Sequence, residues 1–405
     1  MSPLPVTQMA DPATKANRAI GVINAGSSSL KFAVFDGASR LLHGQVEGLG
    51  SHPAVEIADG NGTPLPPFPL GSPAPASPAD AVRPLVAWLH DHLTGHTLAA
   101  IGHRVVHGGL HHDRPARVTA ALLDDLDKLV PLAPLHQPYN LAPMRMVLAH
   151  HPQMPQVACF DTSFHRSMPD VAQAFALPYR MFEAGIRRYG FHGLSYEYIA
   201  SVLPEVSPSL AAGRVVVMHL GNGTSACAIR GGRSQATTMG FTALDGLPMG
   251  TRCGEVDPGV LLYLTMQEGM RPEAVEQLLY HQSGMLGLSG LSADFRDLLA
   301  SSDPRTKLAI DVFCYRAACN VASLAASMGG MDGIVFTAGV GEHAAPVRAT
   351  ICQACSWLGV DLDAAANAAH APRISTPASR VEVLVIPTDE ERMIATHTAH
   401  VAFAG

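Results

Sequence analysis

What this sequence lacks narrows its class before any motif is read. Basic residues are outnumbered, with 27 Lys and Arg against 34 Asp and Glu. A broad cationic surface for nucleic acid or an anionic membrane is therefore not expected. Positive charge for an anionic substrate has to be local. No uninterrupted run of about 18 apolar residues occurs, the length a membrane-spanning helix needs. Residues 1–17 lack the basic start and apolar middle of a secretory signal and are expected to form a polar, disordered extension. The seven cysteines are odd in number and scattered, which gives no disulfide framework and fits a reducing, cytoplasmic setting. Cys352 and Cys355 form a CxxC with no second pair beside it, inside a helix-like segment, so a buried structural pair is expected. His107, His111 and His112 crowd the stretch HGGLHHD and are expected to be solvated loop histidines. The P-loop pattern GxxxxGK[ST] is absent, and no GxGxxG opens a helix after a strand, which weighs against P-loop and dinucleotide folds.

What is present has a recurring shape. A chain of 405 residues exceeds one hydrophobic core and calls for two or three domains. Residues 20–36, IGVINAGSSSLKFAVFD, are two apolar strands around a small polar turn. Roughly half the chain later, residues 214–230, RVVVMHLGNGTSACAIR, repeat that shape with an Asn again in the turn. A third glycine turn, TAGVGEH, follows the buried run Gly333–Phe336. A last buried strand, Val381–Pro387, ends in TDEE before a closing helix, Glu391–His400. Between these lie an expected helix at 79–93, a strand at 99–106, a helix at 138–150, a short strand at 157–160 and a helix at 194–203. The proline-rich stretch 63–80 cannot be a central strand or helix interior and is read as a surface loop within the first domain.

Glycine turns let backbone N–H groups close around an anion, and hydroxyls add donors. Three such turns after apolar strands suit a nucleotide gripped by its phosphates. Arg104, in GHRVVHGG, and Arg252, in GLPMGTRCGEVDPG, stand at a strand end and in a glycine-dense loop. His136 and His192 add donors. Asp161 and Glu390 follow strands, where carboxylates suit Mg²⁺ and its water shell. Local cations, donors and strand-end carboxylates are the groups phosphoryl transfer needs.

Taken in order, INAGSSSLKF, GHRVVHGG, APLH, FDTSFH, RYGFHGLSYEYIA, HLGNGTSACAI, MGFTALDGLPMGTRCGEVDPG, FTAGVGEH and PTDEERMIA resemble the acetate kinase family. That family sits in the wider group of sugar kinases, actin and chaperone ATPase domains. The resemblance implies an α/β chain of two ribonuclease H-like, actin-like domains with a nucleotide cleft, working as a homodimer. The domains would be 18–162 plus 391–405, and 163–390. It implies ATP-dependent phosphorylation of acetate, with Mg²⁺ (Mn²⁺ as the alternative ion) and no nucleic-acid or membrane partner. Carried over residue by residue, Asn24 and Glu390 match the metal-associated positions and Lys31 lies near phosphates. Arg104 matches the carboxylate binder, beside an apolar pocket of Val106, Leu135 and Phe191. Asp161, His192, Arg252 and His136 match catalytic positions. His219, Leu220, Gly221, Asn222 and Gly223 match one nucleotide loop. Asp294, Phe295 and Arg296 match a second, and Gly339, Val340, Gly341, Glu342 and His343 a third.

Four features depart from the family pattern. Gln137 replaces an Asn, Asp389 replaces an Asn, the 63–80 loop is unusually proline-biased, and Ala243 stands where a pocket-lining proline is common. The last loses carbon from the pocket, so propionate is expected to compete with acetate, a methylene being worth only about 1–3 kcal/mol of discrimination. Propionate or butyrate kinase is the alternative within enzymes. A nucleotide-gated binding protein of the actin or chaperone kind is the alternative outside them, and it has no use for a carboxylate-clamping Arg104.

Overall fold

The computed structural model describes residues 17–403. The expected N-terminal extension falls outside them except for Asn17, which opens the first strand. Twelve described strands form two sheets. The first contains β1 (Asn17–Ala25), β2 (Leu30–Asp36), β3 (Ser39–Glu47), β4 (Ala54–Asp59), β5 (His96–Val105), β6 (Ala116–Arg117) and β7 (Gln156–Phe160). The second contains β8 (Arg214–Leu220), β9 (Thr224–Arg230), β10 (Arg233–Thr237), β11 (Gly333–Thr337) and β12 (Glu382–Val385). Strand order is β4-β3-β2-β1-β5-β7-β6 in one and β10-β9-β8-β11-β12 in the other.

The two sheets share a plan. In each, three consecutive strands form an antiparallel meander, β1-β2-β3 and β8-β9-β10. A later strand then joins parallel to the first of the three, β5 beside β1 and β11 beside β8. That is the ribonuclease H-like arrangement used twice. The small polar turns of the sequence are the hairpin turns at the head of each meander.

The second sheet is apolar on both faces because helices cover both, whereas β3 and β4 of the first turn polar residues such as His43, Gln45 and Glu56 to one face. In the second, Val216, Met218, Ile334 and Phe336 pack with Phe313, Ala317 and Val321 of helix Pro304–Ser327. The alternate residues Val215, Val217 and Val335 pack with Tyr196, Ile199 and Leu203 of helix Gly193–Val206. The period-2 alternation of strand side chains assigns each residue its helix. Truncating a core aromatic such as Phe313 to Ala would cost about 3–5 kcal/mol. By length and composition Pro304–Ser327 could cross a membrane, but these side chains make it a core helix. In the first sheet Leu30, Phe32 and Val34 face Leu85, Trp88 and Leu89 of helix Pro78–His92. Ser77 caps that helix in a capping box with Asp80. The proline-rich loop before it is anchored by buried Phe68, whose ring lies 6.1 Å from Phe32 and 6.3 Å from Trp88.

The chain divides into two compact units. Among the described residues, one comprises those up to Val105, Pro115–Cys159 and those from Glu391 on; the other comprises Val106–Arg114 and Phe160–Glu390. This differs from a first domain running unbroken over 18–162. Residues 106–114 go with the second unit because their contacts do. Gly108 N–H donates to Thr162 Oγ1 at 3.0 Å, and the His107 ring meets Tyr189 edge-on at 4.4 Å. The HGGLHHD histidines are correspondingly not all solvated: His107 is fully buried and His112 stacks on Phe160 at 5.4 Å. Cys352 and Cys355 are buried free thiols, pushed by burial up to about 12 and about 11, as a structural pair requires.

Three buried histidines, His103, His107 and His165, are held down to about 4 by burial. His103 Nε2–H donates to Gln156 Oε1 at 2.9 Å; His165 Nε2–H donates to the Phe191 carbonyl at 2.9 Å. The unfolded chain takes up protons at these sites below a pH of about 6.5, whereas the folded chain resists until about 4. The unfolded state therefore binds more protons in that window, and stability rises with pH through it. The urea midpoint should be level above pH ~6.5 and fall progressively toward pH ~4. An unchanged midpoint between pH ~7.5 and ~5 would contradict it.

Candidate active site

In the first unit three expected residues come together at the turn end of the β1–β2 hairpin. Antiparallel register sets Asn24 directly opposite Lys31. Arg104, on β5 next to β1, directs Nη1 at Asn24 Oδ1 at 3.5 Å. His136 stands at the N-terminus of helix Gln137–His150, and Asn140 of that helix donates Nδ2–H to the Ala25 carbonyl at 2.8 Å. That bond ties the helix start to the end of β1. Gln137 is buried with Nε2–H directed at the Leu126 carbonyl at 3.4 Å, so the departure from Asn is spent on packing two helices. Leu135 is half-buried just before it.

In the second unit a denser group forms. Asp161 follows β7 and is 1% exposed. Its carbonyl accepts the Gly193 N–H at 2.9 Å. The approach is close: a Cβ on Gly193 would lie 2.0 Å from that oxygen, which only glycine avoids. His192 precedes it in the left-handed conformation, φ 57°, at the helix N-terminus. Its ring stacks on His219 with centroids 4.2 Å apart. The Gly221–Gly223 turn joins β8 to β9, and a Cβ on Gly223 would stand 3.3 Å from His192 Nε2 and 3.8 Å from Arg252 Nη1. The histidine and the arginine thus converge on one glycine turn. Val106 and Phe191 are buried, at 7% and 2% exposure.

The other two nucleotide loops are more structured than open turns. Asp294 caps helix Phe295–Ala300 and pairs with Arg296, whose side chain is 90% exposed; this pairing holds the Asp294 carboxyl below its usual range. Phe295 contributes its ring to the core instead, edge-on to Phe313 at 4.7 Å. Gly339 to His343 form a short helix, Ala338–His343, directly after β11. The Arg348 side chain is fully buried and donates to the Gly341 and Glu342 carbonyls at 2.9 and 2.8 Å, where a cation complements a helix C-terminus. Glu390 begins the last helix, Glu390–Phe403.

Sequence reasoning missed the residues that hold Arg252. Its Nη1 donates to the Ala243 carbonyl at 3.1 Å. The segment carrying Ala243 is held by Asp245, which pairs with Arg188 at 2.9 Å. Around Arg252 itself, the N–H groups of Ser283, Met285 and Leu286 donate to the carbonyls of Thr251, Met249 and Gly250 at 2.9–3.0 Å. Ala243 had been singled out for its side chain; the structure uses its carbonyl.

Two ribonuclease H-like sheets, each headed by a polar hairpin turn, place the chain in the actin-like fold class. It belongs to the acetokinase family: the model of that family matches residues 19–396. The chain is 52% identical over 384 residues to the acetate kinase of Nitrobacter hamburgensis, covering 93% of this chain and 94% of that one. It is 50% identical to the acetate kinase of Rhizobium meliloti, with 94% and 97% covered. Among solved structures, Porphyromonas gingivalis acetate kinase superposes with a TM-score of 0.85 at 35% identity, covering 95% of this chain and 99% of that chain. A propionate kinase from Francisella tularensis gives 0.86 at 35% identity, with 94% and 98% covered.

Gly284 is where the Arg252 loop is most tightly seated. It has φ +60°, and a Cβ there would lie 2.1 Å from the Met249 carbonyl oxygen and 2.6 Å from that of Arg252. Gly284→Ala should displace the loop and lower kcat by at least about tenfold, roughly 1.4 kcal/mol in barrier, while circular dichroism stays native. Full activity in a folded Gly284→Ala protein would show that Arg252 is positioned otherwise.

Proposed function

We propose that this chain transfers the γ-phosphoryl group of ATP reversibly to acetate, giving acetyl phosphate and ADP by direct in-line displacement. The observation that carries this reading is the convergence of His192 Nε2 and Arg252 Nη1 on the Gly223 turn, in a chain that belongs to the acetokinase family. Acetate is ionised at neutral pH, so its oxygen is already a nucleophile and needs no base. That oxygen forms the new bond to phosphorus as the bond from phosphorus to the β–γ bridging oxygen breaks, leaving on ADP. The obstacle is bringing two anions together, and the chain answers it with donors. Arg104 takes the carboxylate through its planar guanidinium fork. His192 and Arg252 meet the charge spread over the transferring oxygens. Lys31 and the turns 221–223 and 339–343 hold the nucleotide phosphates, and Asp294 with Arg296 flanks the rest of the nucleotide.

The donors offered to a metal are oxygens: the Asn24 amide, the Asp161 carboxylate and the Glu390 carboxylate. Among the described residues no three His, Cys, Asp or Glu gather to hold an ion by themselves. A few hard oxygen donors suit Mg²⁺, which keeps most of its waters and binds substrate phosphates; Mn²⁺ is the alternative ion. Such an ion would neutralise charge on the nucleotide phosphates.

The working unit in this reading is a homodimer. Helix Pro258–Met266 buries none of its residues, and Val260, Leu262, Tyr263 and Met266 are 45–71% exposed. Leu308 and Tyr315 stand out from the long helix at 55% and 65%. So many large apolar groups on one unit suit a second copy of the chain. The free cysteines fit a reducing cytoplasm.

Incubation with ATP, Mg²⁺, hydroxylamine and a carboxylate should give hydroxamate with acetate and more weakly with propionate, because hydroxamate forms only from an acyl phosphate. A propionate kcat/KM below about a thousandth of that for acetate would refute a pocket widened at Ala243, exceeding what ~3 kcal/mol supplies. Arg252→Ala should lower kcat by about 10²–10³ with the fold intact, the usual cost of one transition-state donor. Near-normal turnover would remove Arg252 from the chemistry. Light scattering should give a dimer for the native chain and a monomer for the Leu262→Glu, Met266→Glu double variant; a native monomer would overturn the proposed assembly.

A further inference from the structure

We propose that Tyr196 and Ser225 are positioning residues that hold His192 as the neutral tautomer with its proton on Nε2, the nitrogen facing the Gly223 turn. The inference rests on the role given to His192 above and adds what fixes its proton.

Ser225 Oγ has a single proton and two polar neighbours. It lies 2.8 Å from His192 Nδ1 and 2.5 Å from Tyr196 Oη. Only two proton orders satisfy both contacts. In one, Tyr196 donates to Ser225 and Ser225 donates to Nδ1. In the other, Nδ1–H donates to Ser225 and Ser225 donates to Tyr196. Tyr196 decides between them. The residue is 0% exposed, so its own proton needs an acceptor inside the protein. Ser225 Oγ is the acceptor at bonding distance from it. Burial pushes the phenol well above its ordinary range, so that proton stays in place. The Ser225 proton then points to Nδ1, and the neutral ring carries its own on Nε2.

Two further observations agree. Nε2 is the atom that stands 3.3 Å from the Cβ position of Gly223, on the side of Arg252. The stacked partner His219 is tied in the same way, with Nδ1 2.9 Å from Ser195 Oγ and Ser195 Oγ 2.8 Å from Thr388 Oγ1. Two rings with centroids 4.2 Å apart would repel strongly if both were imidazolium. Ser195 and Tyr196 are consecutive in the first turn of helix Gly193–Val206, so one helical turn sends two hydroxyls to two histidines. With the tautomer reversed, the Nε2 lone pair would face phosphoryl oxygens, and an attraction would become a repulsion.

Nitrogen-15 spectra of the full chain carrying labelled histidine separate protonated from unprotonated ring nitrogens, and the His192→Gln spectrum assigns the resonance. The native spectrum should show His192 protonated at Nε2 and unprotonated at Nδ1. Tyr196→Phe keeps the ring but removes the proton that orders the chain. It should admit the Nδ1–H form and lower kcat about tenfold, with both KM values within about twofold. Ser225→Ala should do the same, and Ser225→Thr should restore kcat. A native spectrum with Nδ1 protonated overturns the proposal even if no variant folds. So does a Tyr196→Phe protein with unchanged His192 resonances and kcat. Failure of the native chain to form acetyl hydroxamate would instead sink the proposed reaction, whatever the spectrum shows.

Discussion

The hydrogen bond from Gly193 N–H to the Asp161 carbonyl organises most of the second unit's chemistry. It forms at 2.9 Å where one strand ends and a helix begins, between residues far apart in sequence. It keeps the buried Asp161 and the left-handed His192 next to each other. It also fixes where helix Gly193–Val206 starts, and so where Ser195 and Tyr196 point. Through them the same bond reaches His219, Ser225 and Thr388. No side chain larger than hydrogen fits at Gly193, which makes the geometry depend on the absence of an atom.

Around that point the protein solves an electrostatic problem with limited means. With a net charge of −7 it cannot attract anions by its overall field, so donors have to be close and oriented. Orientation comes from backbone carbonyls holding cations. Ala243 holds Arg252, while the carbonyls of Gly341 and Glu342 are themselves held by Arg348. Side chains fixed beforehand need not reorganise when charge develops, which is where electrostatic stabilisation gains its size. The cost is burial of Arg348, offset by hydrogen bonds from its guanidinium to Asn367 and to the loop it supports.

What could be read from the sequence and what could not divides along contact range. The two hairpins were legible because an apolar run, a small polar turn and a second run lie within some seventeen residues, and both emerged as the head of a ribonuclease H-like sheet. Placement of Asn24 opposite Lys31 follows from that register alone. Contacts that join distant segments left no local signal. Arg188 finds Asp245 across 57 positions, and Ser195 finds Thr388 across 193. The misreading of HGGLHHD has the same origin: local polarity argued for solvent, while Tyr189 and Phe191 bury His107 from more than eighty residues away. Phe295 enters with Asp294 and Arg296 through the family resemblance, and no local signal foretells that its ring packs edge-on against Phe313.

Backbone strain points to the same region. The described non-glycine residues with positive φ are His192, Ala338 and His370. Such conformations cost on the order of 1–3 kcal/mol each and persist only where the surroundings over-determine them. His192 is over-determined by the Gly193 bond, the His219 stack and the Ser225 tether. Ala338 opens the helix of the 339–343 loop, directly after β11 in the sheet. His370 lies against the Glu342 carbonyl and Arg348, the supports of that same loop. Strain is thus confined to the two places where strand ends of the second sheet present backbone and donors together. An unstrained backbone at His192 would carry the ring away from His219 and from the glycine turn, and no choice of rotamer would return Nε2 to the same spot. The left-handed turn is therefore part of how the histidine is aimed, and the hydroxyl chain behind it acts on a ring whose direction is already fixed.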